Sequence, residues 1–437
     1  MDSIWKQTVS LPHFPALKGD IQTQVLIIGG GLAGLLCAHY LKQAGVDCVI
    51  AEQGRICGGT TGGTTAKVTA QHGFFCAKMR RQLGSETAKL YLQANLNAVA
   101  AYRRLCRGIP CDFTEESSFA YSLEDRAAVE EELRALQELG VPARLTEQLP
   151  LPIRTAGAVC FPGQARLHPL KLAAALAKGL TIYEHTPVLR WDGRRALCET
   201  GVIRADKAII ATHFPFQNLR GGYFVKLYQQ RHYVLALEDV PPLQGMYVDG
   251  SGNGLSFRQA GSLLLLGGGA HRTGKPGGGW QELRRFAAAH YPGSKEVCRW
   301  AAQDCVSLDT VPYIGPFTAG SSHTLAASGF GGWGMTGAMT AALLLTDRIL
   351  GIDNPFAPVF SPQRSIWHRQ LARNLLESAG HLLLPKIPRC THMGCSLQWN
   401  AAERSWDCAC HGSRFGEGGQ VLENPAGKNL PRPPGRP

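Results

Sequence analysis

Cys390, His392, Cys395, Cys408, Cys410 and His411 crowd into one short stretch near the C-terminal end. Thiolates and imidazoles are ligands for zinc and for iron. Four of the 14 cysteines fall within 21 residues, a density that points to metal or redox chemistry. The candidate ligands form two half-motifs, Cys390-x-His392 and Cys408-x-x-His411, with 15 residues between them. A Cys2His2 zinc site uses the same residue types, but this spacing differs from that of the usual finger.

A second chemical signal lies near the N-terminal end. Residues 24–28, Gln-Val-Leu-Ile-Ile, read as a buried parallel strand, followed at once by Gly29-Gly30-Gly31-Leu32-Ala33-Gly34. Leu35 to Ala44 reads as a helix that Gly45 ends, and Asp47 to Ala51 as a second strand ending at Glu52. In such a unit Gly29 allows the tight turn and Gly31 lets the backbone approach a pyrophosphate. Gly34 lets helix and strand pack closely, and the N–H groups at Leu32 and Ala33 face the phosphates. Glu52, 21 residues after Gly31, can accept hydrogen bonds from ribose hydroxyls. A dinucleotide site is the reading.

Further motifs carry a resemblance. After Glu52-Gln53 comes Gly58-Gly-Thr60-Thr61-Gly-Gly-Thr-Thr-Ala66-Lys67, a second glycine/threonine loop that a plain NAD domain does not need. Lys207 to Ala211 reads as a strand ending in Ala211-Thr212-His213. Asp309-Thr-Val-Pro-Tyr-Ile-Gly315 and Gly329-Phe-Gly-Gly332-Trp333-Gly334-Met335 follow, with a helix from about Thr336 to Leu350. In order and spacing these segments, roughly residues 20–355, resemble the D-amino-acid oxidase–like flavoprotein superfamily of glycine and sarcosine oxidases. The resemblance implies FAD as cofactor. It also implies flavin contacts at Thr60, Thr61, Lys67, Val188, Ala211, Thr212, Gly332, Trp333, Gly334 and Met335. Arg258, in Leu255-Ser-Phe-Arg258, falls where amine oxidases of the superfamily keep an arginine for the substrate carboxylate. His72 and His232, with Tyr233, are further candidates to face the flavin; core or loop roles are the alternative for all of them.

The C-terminal half-motifs resemble those of Rieske [2Fe–2S] proteins, in which two thiolates hold one iron and two imidazoles the other. Gly394 and Cys395 after the first, and Gly412-Ser413-x-Phe415 after the second, extend the match. The resemblance implies Cys390, His392, Cys408 and His411 as ligands, a Cys395–Cys410 disulfide, and Ser413 as donor to a bridging sulfide. Two reduced thiols are the alternative for the extra pair. The strands that form the base of a full Rieske domain are missing, so a shortened, cluster-binding subdomain is expected to dock permanently on the rest.

The elements that must position these residues make an α/β chain. An FAD-binding, Rossmann-like domain is expected over about 20–75, 155–215 and 305–355. It interleaves with an α+β substrate domain over 76–154, helical in its periodicity from 85 to 145, and 216–304, which alternates like strands. A helical linker at 356–385, with its helix at 363–383, leads to a small β-rich Rieske subdomain at 386–437. The proline-rich tail 425–437 reads as loosely held.

Composition sets outer limits. A length of 437 residues implies two or three domains, and 44% hydrophobic against 18% charged residues excludes a disordered chain. The +12 formal charge is scattered and reads as a solvated basic surface, not a nucleic-acid site. An acidic one-electron carrier protein fits that charge. No targeting segment or membrane span is visible, so a cytoplasmic protein is expected. Ten dispersed cysteines read as reduced core thiols. Two functions remain open: an FAD-dependent oxidation of a small amine or amino acid with electrons leaving through the cluster, or an electron-transfer module reduced by a protein or nicotinamide donor.

Overall fold

The computed structural model describes residues 2–252, 254–384 and 388–431. Among them the strands make three sheets of eight, nine and four strands. The first is built on the glycine fingerprint. Ile21–Ile28 lies at its centre, parallel to Val202–Ile210 on one side and Cys48–Ala51 on the other; Thr324–Ser328 and Thr181–Tyr183 extend the parallel set. A strand flanked on both faces must be apolar throughout, which is why Val25–Ile28 is wholly buried. Helix Leu32–Gln43 starts directly after Gly31 and gives way to Gly45 at φ 76°. It shares one core with helix Gly334–Leu350, through Leu35, Leu36, Met339 and Ala342.

The second sheet runs, from edge to edge, Lys295–Ser307, Leu227–Glu238, Leu263–Arg272, Ser256–Ala260, Met246–Asp249, Thr114–Ser122, Gly157–Arg166 and Lys67–Val68, with Arg144–Thr146 beside Gly157–Arg166. The expected nucleotide-binding stretch 155–215 therefore opens with a strand of this sheet, and Lys67–Val68 closes its far edge. The helical periodicity of 85–145 corresponds to helices Ser85–Leu105 and Arg126–Glu138, but Thr114–Ser122 between them is a strand. Helix Gln281–His290 sits among the strands expected for 220–300. Among the described residues no helix is long and apolar enough to cross a membrane.

The third sheet is an antiparallel meander of Leu397–Asn400, Ser405–Cys408, Arg414–Gly416 and Val421–Glu423. The tail expected to be loose is packed as far as Leu430. Ala426 N–H donates to Ser413 Oγ at 3.0 Å, and Leu430 N–H to the Gly419 carbonyl at 2.8 Å. Residues 432–437 and the expected start at 386 lie outside the described residues.

This small sheet sits on the face of strand Leu227–Glu238. Side chains two apart share a face of a strand, and Gln229, Arg231 and Tyr233 all point to the cysteine-rich subdomain. Gln229 Nε2 donates to the carbonyls of His411 and Asn424, both at 2.9 Å. The Arg231 guanidinium, 2% exposed, pairs with Glu403 and with Glu423 at 2.9 Å. Tyr233 Oη donates to Glu403 at 3.1 Å. Arg414 completes the network, pairing with Glu403 and Asp407, each at 2.9 Å. From the next strand Arg272 donates to the carbonyls of Ala409 and Cys410 at 2.9 and 3.1 Å. The linker is pinned as well: Arg364 grips Asp309 with two hydrogen bonds of 2.6 and 2.7 Å and stacks on Tyr313. Helix Arg369–Leu383 follows.

Removing one partner of a buried ion network leaves the others desolvated and unpaired, a loss of about 3–5 kcal/mol. Arg231→Leu is therefore expected to unseat the cysteine-rich subdomain while the first sheet stays folded. Protease cleavage within the linker, absent in the parent protein and rapid in the variant, is the measurement.

Candidate functional site

The nucleotide turn is shaped by what cannot fit in it. A Cβ on Gly29 would stand 2.6 Å from the Ala211 carbonyl oxygen, and its φ of 112° suits glycine. A Cβ on Gly34 would collide with the Gly29 carbonyl. Gly31 differs: its backbone is extended, and the nearest atom to an added Cβ is Thr61 Oγ1 at 3.5 Å. The protein itself leaves room at Gly31, as the expected approach of a pyrophosphate needs.

Around the turn, Glu52 accepts hydrogen bonds from Gly30 N–H at 2.7 Å and Gly54 N–H at 2.8 Å. Burial raises its pKa against the pull of those amides. Gln53 is exposed beside it. Thr61 Oγ1 accepts from Leu32 N–H at 3.1 Å, which joins the second glycine loop to the helix N-terminus at Leu32 and Ala33. Thr60 Oγ1 reaches across to the Gln303 carbonyl at 2.9 Å. Ala211 and Thr212 end the strand beside Ile28, and Thr186 N–H donates to the Glu52 carbonyl, bringing the segment before Val188 to the same rim. Gly332, at φ 86°, and Trp333 form the turn into the helix that begins Gly334-Met335. Gly29, Glu52, Ala211 and Thr212 thus gather at the C-terminal ends of the parallel strands of the first sheet, while Lys67 belongs to the second.

Two expected catalytic residues do other work. Arg258 is buried, and its guanidinium donates to four backbone carbonyls: Thr65, Ala66 at 3.1 Å, Leu167 at 3.2 Å and Gln259 at 3.1 Å. Its donors are committed to backbone carbonyls, two of them in the glycine/threonine loop, so it is not the arginine that would clamp a substrate carboxylate. His72 is likewise saturated. Its Nδ1 meets Tyr91 Oη at 2.7 Å and its Nε2 meets Thr69 O at 2.9 Å, while its ring stacks on Trp333 at 4.6 Å. Burial drives its pKa down to about 3. It is a neutral brace for the Trp333 turn.

His232 projects to the opposite face of its strand from Arg231 and lies 3.6 Å from Asp304. Asp304 Oδ2 is the atom nearest a Cβ built on Gly332, so the pair flanks the glycine turn. Lys67 Nζ contacts Thr65 Oγ1 at 3.2 Å and Ser256 Oγ at 3.4 Å, and no carboxylate is among those partners. Burial, then the charge of Arg258, lowers its pKa to about 7.

The second centre lies in two tight loops. Gly394 N–H donates to the Cys390 carbonyl and Gly412 N–H to the Cys408 carbonyl, both at 2.9 Å. These turns bring Cys390, His392, Cys408 and His411 together. The Cys390 and Cys408 thiols are neighbours, both buried. The imidazoles of His392 and His411 stand 4.8 Å apart, nearly perpendicular. His392 Nε2 donates to Asn218 Oδ1 at 3.0 Å, which leaves a lone pair on Nδ1. Nδ1 of both histidines is buried with no hydrogen-bond partner among the described residues. Buried polar atoms without partners are costly. Two adjacent thiols and two bare ring nitrogens form the donor set of a Rieske cluster, and the residues present fit that group. Ser413 is buried beside the Cys390 thiol, and its Oγ accepts from Ala426 N–H. Cys395 and Cys410 are free thiols here, held within 4.8 Å of each other and of Cys408. The disulfide implied by the resemblance is therefore not formed, and the adjacent Cys408 thiol shares their contact.

Residues the sequence reading missed join the two centres. Gln303 carries Thr60 on its backbone carbonyl, while its side chain donates to the Gly412 carbonyl and to Gln229 Oε1, both at 2.9 Å. Gln229 in turn accepts from His213 Nε2 at 3.1 Å. The available signal was the alternation of polar Gln229, Arg231 and Tyr233 along one strand face.

Comparison with known proteins places this geometry. A family profile described as FAD dependent oxidoreductase matches residues 24–348, and one described as Rieske [2Fe-2S] domain matches 385–434. A protein of Bacillus subtilis (strain 168) described as a Rieske 2Fe-2S iron-sulfur protein, YhfW, is 32% identical over 492 aligned positions, covering 98% of this chain and 97% of its own. The cytochrome b6-f complex iron-sulfur subunit 1 of Nostoc sp. is 51% identical over 41 residues, 9% of this chain and 23% of its own. Glycine oxidase from Geobacillus kaustophilus has a similar fold, with TM-score 0.68 and 22% identity over 79% of this chain and 99% of its own. L-proline dehydrogenase from P. horikoshii gives a TM-score of 0.64 and 16% identity over 80% and 98%.

The glycines separate cofactor binding from folding. Gly31→Val is expected to yield folded protein without flavin absorbance, because only the cofactor needs that space. Gly34→Val is expected to lose the fold, because its Cβ meets backbone. Circular dichroism beside the flavin spectrum reads both. In the second centre, His411→Cys is expected to abolish the Rieske electron paramagnetic resonance signal while flavin content stays at parent level.

Proposed function

This chain belongs to the FAD dependent oxidoreductase family and ends in a Rieske [2Fe-2S] domain, and on that premise we propose that it oxidises a small amine or amino acid and sends the electrons out through its cluster. When bound, the flavin supplies a two-electron acceptor and the cluster a one-electron acceptor. The observation that carries the reading is Gln303, a single residue bonded to the flavin-side loop through Thr60 and to the cluster loop through Gly412. An external one-electron carrier protein is the expected final acceptor.

The substrate class rests on two supports. Solved structures with this fold include a glycine oxidase, an L-proline dehydrogenase and an L-amino acid deaminase. The chain also offers a proton acceptor suited to an ammonium group. Lys67 Nζ, neutral above about pH 7 because burial disfavours its charged form, can take that proton. His232 and Asp304 line the other side of the glycine turn and orient the substrate. Arg258 takes no part in substrate binding; it holds the loop that carries Lys67. The Cys395 and Cys410 thiols can close to a disulfide in oxidised protein, tying the two cluster loops together.

Anaerobic addition of amines and amino acids to the holoprotein is the test. Bleaching of the flavin together with the signal of the reduced cluster is expected with one of them. Reduction by NADH alone would favour an electron-transfer module without an organic substrate. The pH profile probes Lys67. Below about pH 7 the amine is protonated and cannot accept, so kcat/KM is expected to rise with pH and level off above that value. Lys67→Met is expected to lower the plateau by about 10²-fold and to remove that limb.

A further inference from the structure

Helix Arg369–Leu383 is amphipathic the wrong way round. Its inner face carries Leu371 but is otherwise polar: Asn374 accepts from Arg272 Nη1 at 2.9 Å, Glu377 pairs with Lys275, and His381 Nδ1 meets Ser396 Oγ at 2.9 Å. Its outer face is apolar. Ala372, Leu375, Leu376, Ala379 and Leu383 are exposed and recur at i, i+3, i+4, i+7 and i+11, the spacing of a single helical stripe. Leu376 is 74% exposed, Leu383 83%, and Trp367 just before the helix 85%. Leu382 and Leu384 extend the patch. Isolated exposed leucines are ordinary; a contiguous stripe ending in a tryptophan marks a contact surface.

We propose that this face lies on an anionic lipid bilayer. The charges around the stripe choose the occupant. Arg369 and Arg373 border it one turn apart, and Arg389 is exposed just beyond its C-terminal end. The one acid of the helix, Glu377, is turned inward to Lys275 and His381. An apolar stripe with tryptophan at one end and arginines along its edge is the composition of a helix that lies in the membrane interface. A second copy would set Arg369 and Arg373 against their own kind, on a chain of formal charge +12. Anionic headgroups complement those arginines, and acyl chains cover the leucines. The inner face of the same helix holds both cluster loops, through Ser396 on one and through Asn374 and Arg272 on the other. Docking would place the cluster subdomain about one helix diameter, ~10 Å, from the lipid.

The test uses holoprotein and vesicles of phosphatidylglycerol mixed with phosphatidylcholine, against pure phosphatidylcholine vesicles, in a sedimentation assay. Binding is expected with the anionic vesicles only, weakening as salt rises. Leu376→Glu/Leu383→Glu is expected to abolish it. Arg369→Glu/Arg373→Glu is expected to weaken it by at least about tenfold. Both variants change exposed positions, and unaltered flavin and cluster absorbance shows that they are folded. No binding to anionic vesicles would overturn the proposal, as would binding that survives the leucine changes. If the parent sediments as a larger species without vesicles and Leu376→Glu/Leu383→Glu makes it monomeric, a second copy covers this face and the proposal fails.

Discussion

A subdomain of four short strands cannot bury enough apolar surface to stand alone. Its own core is little more than Leu397, Trp406, Phe415, Ala426 and Leu430 around the cysteines. The buried contact between Arg231 and the Glu403–Glu423 pair is therefore the interaction on which the second centre depends. An ion network in this position need not add much net stability. What it does supply is uniqueness. Arg231, Arg414, Glu403, Asp407 and Glu423 are satisfied in one seating, and a shifted seating would strand charges out of water. Apolar contacts alone would tolerate sliding. A cluster that must stay at fixed distance from a second cofactor has reason to be seated by charges.

The same strand serves both centres because its two faces are separate. Gln229, Arg231 and Tyr233 face the cluster subdomain, while His232 faces Asp304 and the glycine turn. Period two in a strand thus gives a partition about one residue thick. Gln303, on the neighbouring strand, repeats the arrangement with its backbone on one side and its side chain on the other. The antiparallel pairing of Leu227–Glu238 with Lys295–Ser307 sets Gln303 opposite Arg231, diagonal to Gln229 and on the same face.

This also explains what the sequence could and could not disclose. The fingerprint was legible because a tight turn, a helix N-terminus and two parallel strands are local constraints, written in consecutive residues. The four cluster ligands were legible because each loop closes on itself. Arg258 misled, because its partners come from residues 65, 66 and 167, far away in sequence, and are backbone atoms that no side-chain pattern announces. Thr114–Ser122 was hidden between two amphipathic helices. The docking face was hidden by its chemistry: polar residues alternating on a strand look like a solvent face until another part of the chain covers it. The tail misled for a related reason, since Ala426 and Leu430 find their partners only once the meander is formed.

Arg258 carries the last step. A guanidinium buried among carbonyls, with no carboxylate on it, is an expensive way to hold a loop unless the loop must be held in a conformation it would not choose. Ala66 is in that state: its φ is 53°, in the left-handed region that alanine disfavours. Arg258 bonds the carbonyls of Thr65 and Ala66, on both sides of that turn. Lys67 comes next in the chain, and the turn sets the direction in which its side chain leaves. The same guanidinium adds its positive charge to the burial that already lowers the Lys67 pKa. One residue therefore holds the turn from which the amine leaves and adds to the burial that favours its neutral form. On the proposed function, an arginine that looked like a substrate clamp is instead a positioning residue whose effect would pass through Lys67.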